Sequence, residues 1–231
     1  MRDFARLVYL SARLIAGRWM WTVPLVPLLW LAFLILRLLV GWETEAYTPA
    51  SVQNGLIGMP LAILAVALGV RIIAGDIDRR TLEIAYTVPG GARRVWIGKL
   101  VAAGLMLVAA ELLLAVVIVV WLTDFPIGAL YGPLQAAAFH LVLAMALSAL
   151  FKSEVTGALV TIPLLFFGLA LSSTRVSPFF DTTQPSIVDV ADPSDILAWT
   201  VQNRIGYVLV IAAIGVLAFA RAEQREQMMS G

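Results

Sequence analysis

The sequence predicts an all-α, polytopic membrane protein. Three observations carry that reading. Of 231 residues, 61% are hydrophobic and only 13% charged, against about 25% charged in soluble domains. The apolar residues gather into long unbroken runs, such as LLWLAFLIL and LMLVAAELLLAVVIVV. Basic residues are segregated into alternate connecting segments. A soluble core of this length cannot hide so much apolar surface. The composition therefore excludes an ordinary cytosolic enzyme, a disordered chain and a nucleic-acid-binding domain. The sequence contains no Cys, which removes disulfides, thiolate metal sites and cysteine nucleophiles.

A spanning helix needs about 20 mostly apolar residues. Six windows meet this: Met20–Val40, Gly55–Ala74, Leu100–Leu122, Leu134–Phe151, Val155–Ser172 and Ile205–Ala220. Barrel strands would alternate in polarity over about ten residues, and these runs do not. The whole chain, 1–231, reads as a single transmembrane domain without internal repeats. Residues 1–18 differ from the spans: Arg2, Arg6, Tyr9 and Arg13 recur at helical spacing, with Phe4, Leu7, Val8, Leu14 and Ile15 on the other side. This predicts an amphipathic helix lying in the membrane interface, followed by Arg18, Trp19 and Trp21 at headgroup level. A cleaved signal is not expected, because the apolar run comes late and is full length.

With the N-terminus inside, the inner segments hold 13 of the 16 basic residues. Only Arg37, Arg175 and Arg204 fall outside. The outer segments carry Glu43, Glu45, Asp124, Asp181, Asp189, Asp192 and Asp195. The positive-inside rule then predicts an integral inner or plasma membrane protein with both termini cytoplasmic, consistent with an even number of spans. Pro24 and Pro27 are expected to bend the first span. The outer segment 173–201 contains Asp192-Pro193-Ser194-Asp195, which reads as a helix start and predicts a short helix at the outer leaflet, with an ordinary loop as the alternative.

The segment 75–94 carries the most information. It reads Gly75-Asp76-Ile77-Asp78-Arg79-Arg80-Thr81-Leu82-Glu83-Ile84-Ala85-Tyr86-Thr87-Val88-Pro89, followed by Gly90, Gly91, Arg93 and Arg94, and closes on Gly98-Lys99-Leu100. Asp76 or Asp78 can cap a helix N-terminus. Leu82, Ala85 and Tyr86 share one helical face, and Pro89-Gly90-Gly91 ends the helix. The residues predict a short amphipathic helix with a charged start; a plain solvated loop has the same composition. Gly98-Lys99 is no phosphate-binding loop. Arg93 stands five residues before Gly98, where such a loop has Gly, and Leu100 follows where a hydroxyl is needed.

The pattern resembles the signature loop of ABC-2-type permeases, the membrane subunits of ABC exporters: Gly-Glu-x-Glu-Arg-Gly-Thr-Leu-Glu, then a Pro, a basic patch and Gly-Lys-Leu opening the third span. Gly75, Arg79, Thr81, Leu82, Glu83, Pro89, Gly98, Lys99 and Leu100 match it. Asp76 and Asp78 stand where the family usually has Glu, and Arg80 where it often has Gly. The resemblance implies an ABC-2, type V exporter-like fold. It implies that segment 75–94 is a coupling helix seated in a separate ABC ATPase subunit, two copies of which serve a pair of permease chains. Asp76, Asp78, Arg79, Arg80, Thr81, Glu83 and Pro89 would meet that subunit, with Leu82, Ala85 and Tyr86 as apolar anchors. ATP and Mg would bind the partner, so this chain is expected to hold no cofactor of its own. The implied cargo is apolar or amphipathic: a drug, antibiotic, lipid or peptide moved outward. Whether the two permease chains are identical is left open.

Glu111 in the third span, with Gln135 and His140 in the fourth, form a second group of candidates. Ionisable residues at such depth are costly and point to function. They read either as a polar lining of the transport route or proton-sensitive pair, or as a structural hydrogen bond between helices. An ion-coupled secondary transporter or channel using Glu111 and His140 is the alternative function, although such folds usually carry inverted repeats. An intramembrane enzyme would need a nucleophile–base pair or a metal set, for which one His and no Cys offer little. No catalytic residue and no metal site are expected.

Overall fold

A computed structural model of the chain describes residues 2–42, 47, 51–87, 91–181 and 192–224. The described residues form helices and turns, with no strand among them. Helix α1 is Arg2–Ala16 and α2 is Leu28–Leu39. A wide π-helical stretch, Val52–Gly58, leads directly into α3, Met59–Gly69. Two short helices follow, α4 (Ala74–Asp78) and α5 (Leu82–Thr87). The long helices are α6 (Gly91–Trp121), α7 (Tyr131–Phe151), α8 (Glu154–Ala170) and α9 (Pro193–Ala222).

The N-terminal helix forms as its periodicity predicts: Ser11 and Ile15 are buried while Arg6 and Arg13 are exposed. The first apolar window is less regular than its composition implies. Two tight 3₁₀ turns, Gly17–Trp19 and Val23–Leu25, precede α2. Segments Phe4–Trp19 and Val23–Leu39 meet at 63°. Pro24 and Pro27 supply the cause, since neither offers an N–H to a continuing helix.

Four stretches are long and apolar enough to cross a membrane: Val52–Gly69, Gly91–Trp121, Ile127–Phe151 and Pro193–Ala222. The bent N-terminal pair makes a fifth if it is counted as one span. Helix α8 is apolar but has 17 residues, about 26 Å of helix against a hydrocarbon core of about 30 Å. The helix start at Pro193 is present, with Asp192 as its extended N-cap. It does not open a separate outer-leaflet helix. No breaker interrupts residues 193–222, so the turn-by-turn hydrogen bonds continue through the last apolar window. Residues 182–191 lie outside the described set.

Helix α3 is the axis of the bundle. Leu61, Ala62, Ala65, Val66 and Leu68 are all buried, and α3 packs along α7. Helix α7 brings Ala136, Ala137, Ala144 and Ala149 to buried positions. Small side chains let backbones approach closely, which suits helices that must associate where lipid removes the hydrophobic drive. At Gly69 the approach is closest: an added Cβ would collide with the Leu141 carbonyl and the Ala144 methyl. Helix α9 is mostly unburied, with Asn203, Ala218, Phe219 and Ala222 as its buried residues.

The Gly69→Leu variant should therefore lose about 1–3 kcal/mol through overpacking. A thermal melt in detergent should show the midpoint falling by several degrees. Gly104→Ala is the matched control, because Gly104 has open space around it, and it should leave the midpoint level or raised.

Candidate functional site: the loop between the second and third apolar windows

The centre of this loop is a buried ion pair. Lys99 Nζ donates to Asp76 Oδ1 at 2.6 Å and to the Ile72 carbonyl at 3.2 Å. The Lys99 side chain is 3% exposed and that of Asp76 14%. Trp96 Nε1, on the same face of α6 as Lys99, donates to Asp76 Oδ2 at 3.2 Å, and the Trp96 ring is fully buried. Each oxygen of Asp76 thus has a donor. A charge this deep survives only when its remaining hydrogen-bonding capacity is met.

Around this pair, α4 and the turn after it reach the ends of several helices. Arg79 Nη1 donates to the Leu14 carbonyl at 2.9 Å, and Arg71 Nη1 to the Ile15 carbonyl at 3.1 Å. Both carbonyls end α1, where a helix has unpaired acceptors and favours cations. Asp78 Oδ2 accepts from the Glu154 backbone N–H at 2.9 Å. Asp78 therefore does cap a helix N-terminus, but that of α8. Asp76 sits inside α4, whose N-cap Ile73 makes no side-chain cap bond.

The glycines at the two ends of the motif allow this gathering. A Cβ on Gly75 would stand 2.9 Å from Glu154 Oε1, and one on Gly98 would stand 2.8 Å from Ser11 Oγ. Arg80 takes a φ of 56°, the left-handed conformation that glycine adopts most easily. This accounts for the Gly expected at that position in the resembling pattern. Thr81 N–H donates to the Asp76 carbonyl at 2.8 Å, closing the turn.

Helix α5 presents a divided surface. Leu82 is buried, Tyr86 is half-buried and Glu83 is exposed. Tyr86 OH donates to the Ala222 carbonyl at 2.6 Å, at the end of α9, and its ring meets Trp96 edge-on at 6.1 Å. Arg93 approaches Glu223 at 3.6 Å, an exposed pair of small energetic value. The Ala85 side chain and Pro89 lie outside the described residues. Of the charged residues expected to face a partner, Asp76, Asp78 and Arg79 bond within the chain, while Asp78, Arg79, Arg80 and Glu83 are all exposed.

The intramembrane candidates are buried but not joined. Glu111 Oε1, both polar atoms of the Gln135 amide and His140 Nε2 have no hydrogen-bond partner. His140 Nδ1 lies 2.7 Å from the Ala136 carbonyl of its own helix, and its ring packs against Phe139 and Phe179. No hydrogen bond links the three residues. Among the described residues no cluster of acidic or His side chains is placed to hold a metal ion.

At the opposite end of the bundle lies an arrangement that sequence reasoning missed. Within residues 172–181 the second half, 177–181, folds inward, and Phe179 and Phe180 are among the most completely buried side chains. Their carbonyls accept from Asn54 Nδ2 at 3.0 Å and Gln53 Nε2 at 3.1 Å. Asn203 Nδ2 donates to the Arg175 and Ser177 carbonyls, at 2.7 and 2.9 Å, and Tyr207 OH to the Val176 carbonyl at 2.6 Å. Arg204 reaches the Phe180 carbonyl at 3.4 Å instead of turning outward to headgroups. The available signal was the amide pair Gln53–Asn54 and Asn203 at the edges of apolar windows, where unpaired side-chain amides are costly.

The ion pair makes a quantitative expectation. Lys99→Met leaves Asp76 buried without its cation and should cost about 3–5 kcal/mol. The double variant Asp76→Asn/Lys99→Met should recover part of that loss. Thermal melts of the two single variants and the double variant measure the coupling.

Comparison with known families places a match over most of the chain. The family described as ABC-2 family transporter protein matches residues 19–193. Comparisons with curated proteins and with solved structures find no match. The matched region contains the whole loop, the buried pair that anchors it and the apolar helices it joins. With that coverage, the chain belongs to the ABC-2 family of transporter proteins and is a membrane-embedded permease.

Proposed function

We propose that this permease is the membrane subunit of an ATP-driven exporter and that segment 75–94 transmits the work of a separate ABC ATPase. One observation carries the reading. The loop is bonded to the end of α1 through Arg79, to the start of α8 through Asp78, to α6 through Asp76 and to the end of α9 through Tyr86. A force applied to its exposed edge is therefore delivered to several helices together. Asp78, Arg79, Arg80 and Glu83 are exposed along that edge, and Leu82 and Tyr86 seat it against the bundle. The family resemblance supplies the partner: two ATPase copies holding ATP and Mg, serving two permease chains.

In this reading both termini are cytoplasmic and there are six crossings. The bent N-terminal segment makes one crossing, and α8 spans with the help of its flanking turns. The inward strap 172–181 closes the outer end, and outward release of an apolar or amphipathic cargo requires it to move. Glu111, one of whose carboxylate oxygens lacks a partner, and Gln135, whose amide lacks one, are the groups available to line the route.

The test is purification of the permease with its ATPase, followed by transport in proteoliposomes. Glu83→Arg should weaken retention of the ATPase about tenfold, a change of about 1.4 kcal/mol, and lower transport with it. Arg80→Gly removes the second charge while relieving the backbone and should act in the same direction. Glu111→Gln should leave ATPase retention unchanged. If both loop variants transport normally while Glu111→Gln abolishes transport, the ATPase reading fails and ion coupling takes its place.

A further inference from the structure

We infer that the groove between α1 and α6 is a binding site for one anionic phospholipid of the cytoplasmic leaflet, with an acyl chain in the groove and its headgroup on the α1 arginines. The groove encloses about 490 Å³, within the range of small-molecule sites. Val8, Tyr9 and Ala12 of α1 form one wall, Leu105 and Ala109 of α6 the other, and Trp21 closes an end. Its lining is almost wholly apolar, so it has no means of holding a polar solute.

Length and charge identify the occupant. Along α6 the groove runs from Val101 to Ala109, about 12 Å of helix rise. A single leaflet of hydrocarbon is about 15 Å deep, so the groove accepts most of one acyl chain. It begins beside Lys99, at the loop end of the bundle. Helical spacing places Arg6 and Arg13 on the stripe beyond Tyr9, the outer lip of the groove. Both are exposed, and no described acidic residue pairs with either. Arg18, stacked 5.9 Å from the Trp19 ring, continues the basic edge at interface depth. A cationic lip above an apolar slot matches a phosphate above a hydrocarbon tail. A neutral lipid would leave the lip unanswered.

The inference rests on the orientation proposed above, but not on ATPase coupling. Its measurement uses the permease alone, so the two readings fail separately. The full chain is delipidated in detergent and offered equal amounts of phosphatidylglycerol and phosphatidylcholine, and retained lipid is counted by native mass spectrometry. The wild type should keep one phosphatidylglycerol in preference to phosphatidylcholine. Arg6→Gln/Arg13→Gln should lower phosphatidylglycerol affinity about 30-fold, from about 1 kcal/mol for each basic residue at the surface, with an unchanged melting temperature. Arg6→Lys/Arg13→Lys should restore the preference. Ala109→Trp fills the slot and should reduce retention of both lipids. The inference is overturned if Ala109→Trp retains phosphatidylglycerol as the wild type does, or if the glutamine pair keeps the preference. It is equally overturned if Ala109→Trp instead separates two copies of the chain.

Discussion

The buried Asp76–Lys99 pair is the interaction on which the rest of the loop depends. A lysine and an aspartate removed from water lose hydration worth several kcal/mol each, and the 2.6 Å contact returns that only with the help of the Ile72 carbonyl and the Trp96 indole. The pair therefore tolerates little displacement. It fixes α4 against α6, and that placement brings Arg79 to the end of α1 and Asp78 to the start of α8. The arrangement meets polar groups at helix ends that apolar spans cannot satisfy for themselves.

The proposed coupling segment divides its residues between two tasks. A lever needs an exposed contact and a stiff attachment. Here Arg80 and Glu83 are exposed with no attachment role, while Asp78 and Arg79 serve attachment and remain exposed. Gly75 and Gly98 belong to the attachment too, since each allows a close approach that a methyl group would prevent. The opposite end of the bundle uses neutral amides for a related task. Gln53, Asn54 and Asn203 hold a strap of main chain inward, through bonds that carry no net charge. Neutral hydrogen bonds are each worth about 1 kcal/mol net, so the strap is held by the number of its bonds and by the buried Phe179 and Phe180 rings.

Much of the fold was legible in the chain itself. The N-terminal helix followed from the spacing of Arg6, Arg13 and the apolar residues between them. The bend after it followed from Pro24 and Pro27. The family followed from Gly75, Arg79, Thr81, Leu82, Glu83 and Gly98-Lys99-Leu100. The last helix was legible at its start but not in its extent. An Asp-Pro-Ser-Asp signal marks where a helix begins and says nothing of how far it runs, which depends on the absence of a breaker downstream. Within the candidate site, charge could be located along the chain but not in space. Asp76, Asp78, Arg79 and Arg80 are neighbours in sequence, yet Asp76 turns to the buried Lys99, Asp78 and Arg79 bond to the ends of other helices while staying exposed, and Arg80 points outward.

The sequence by itself determined the membrane, the bulk of the helices and the family, because these rest on composition, period and local spacing. Tertiary structure alone decided which charges are spent inside the protein. That choice depends on partners far apart in the chain, such as Asp76 with Lys99, Arg79 with Leu14 and Tyr86 with Ala222. A carboxylate reads the same in a list of residues whether it meets water, a lysine or the free N–H groups of another helix. Only the packing that brings those groups within about 3 Å of one another distinguishes the cases.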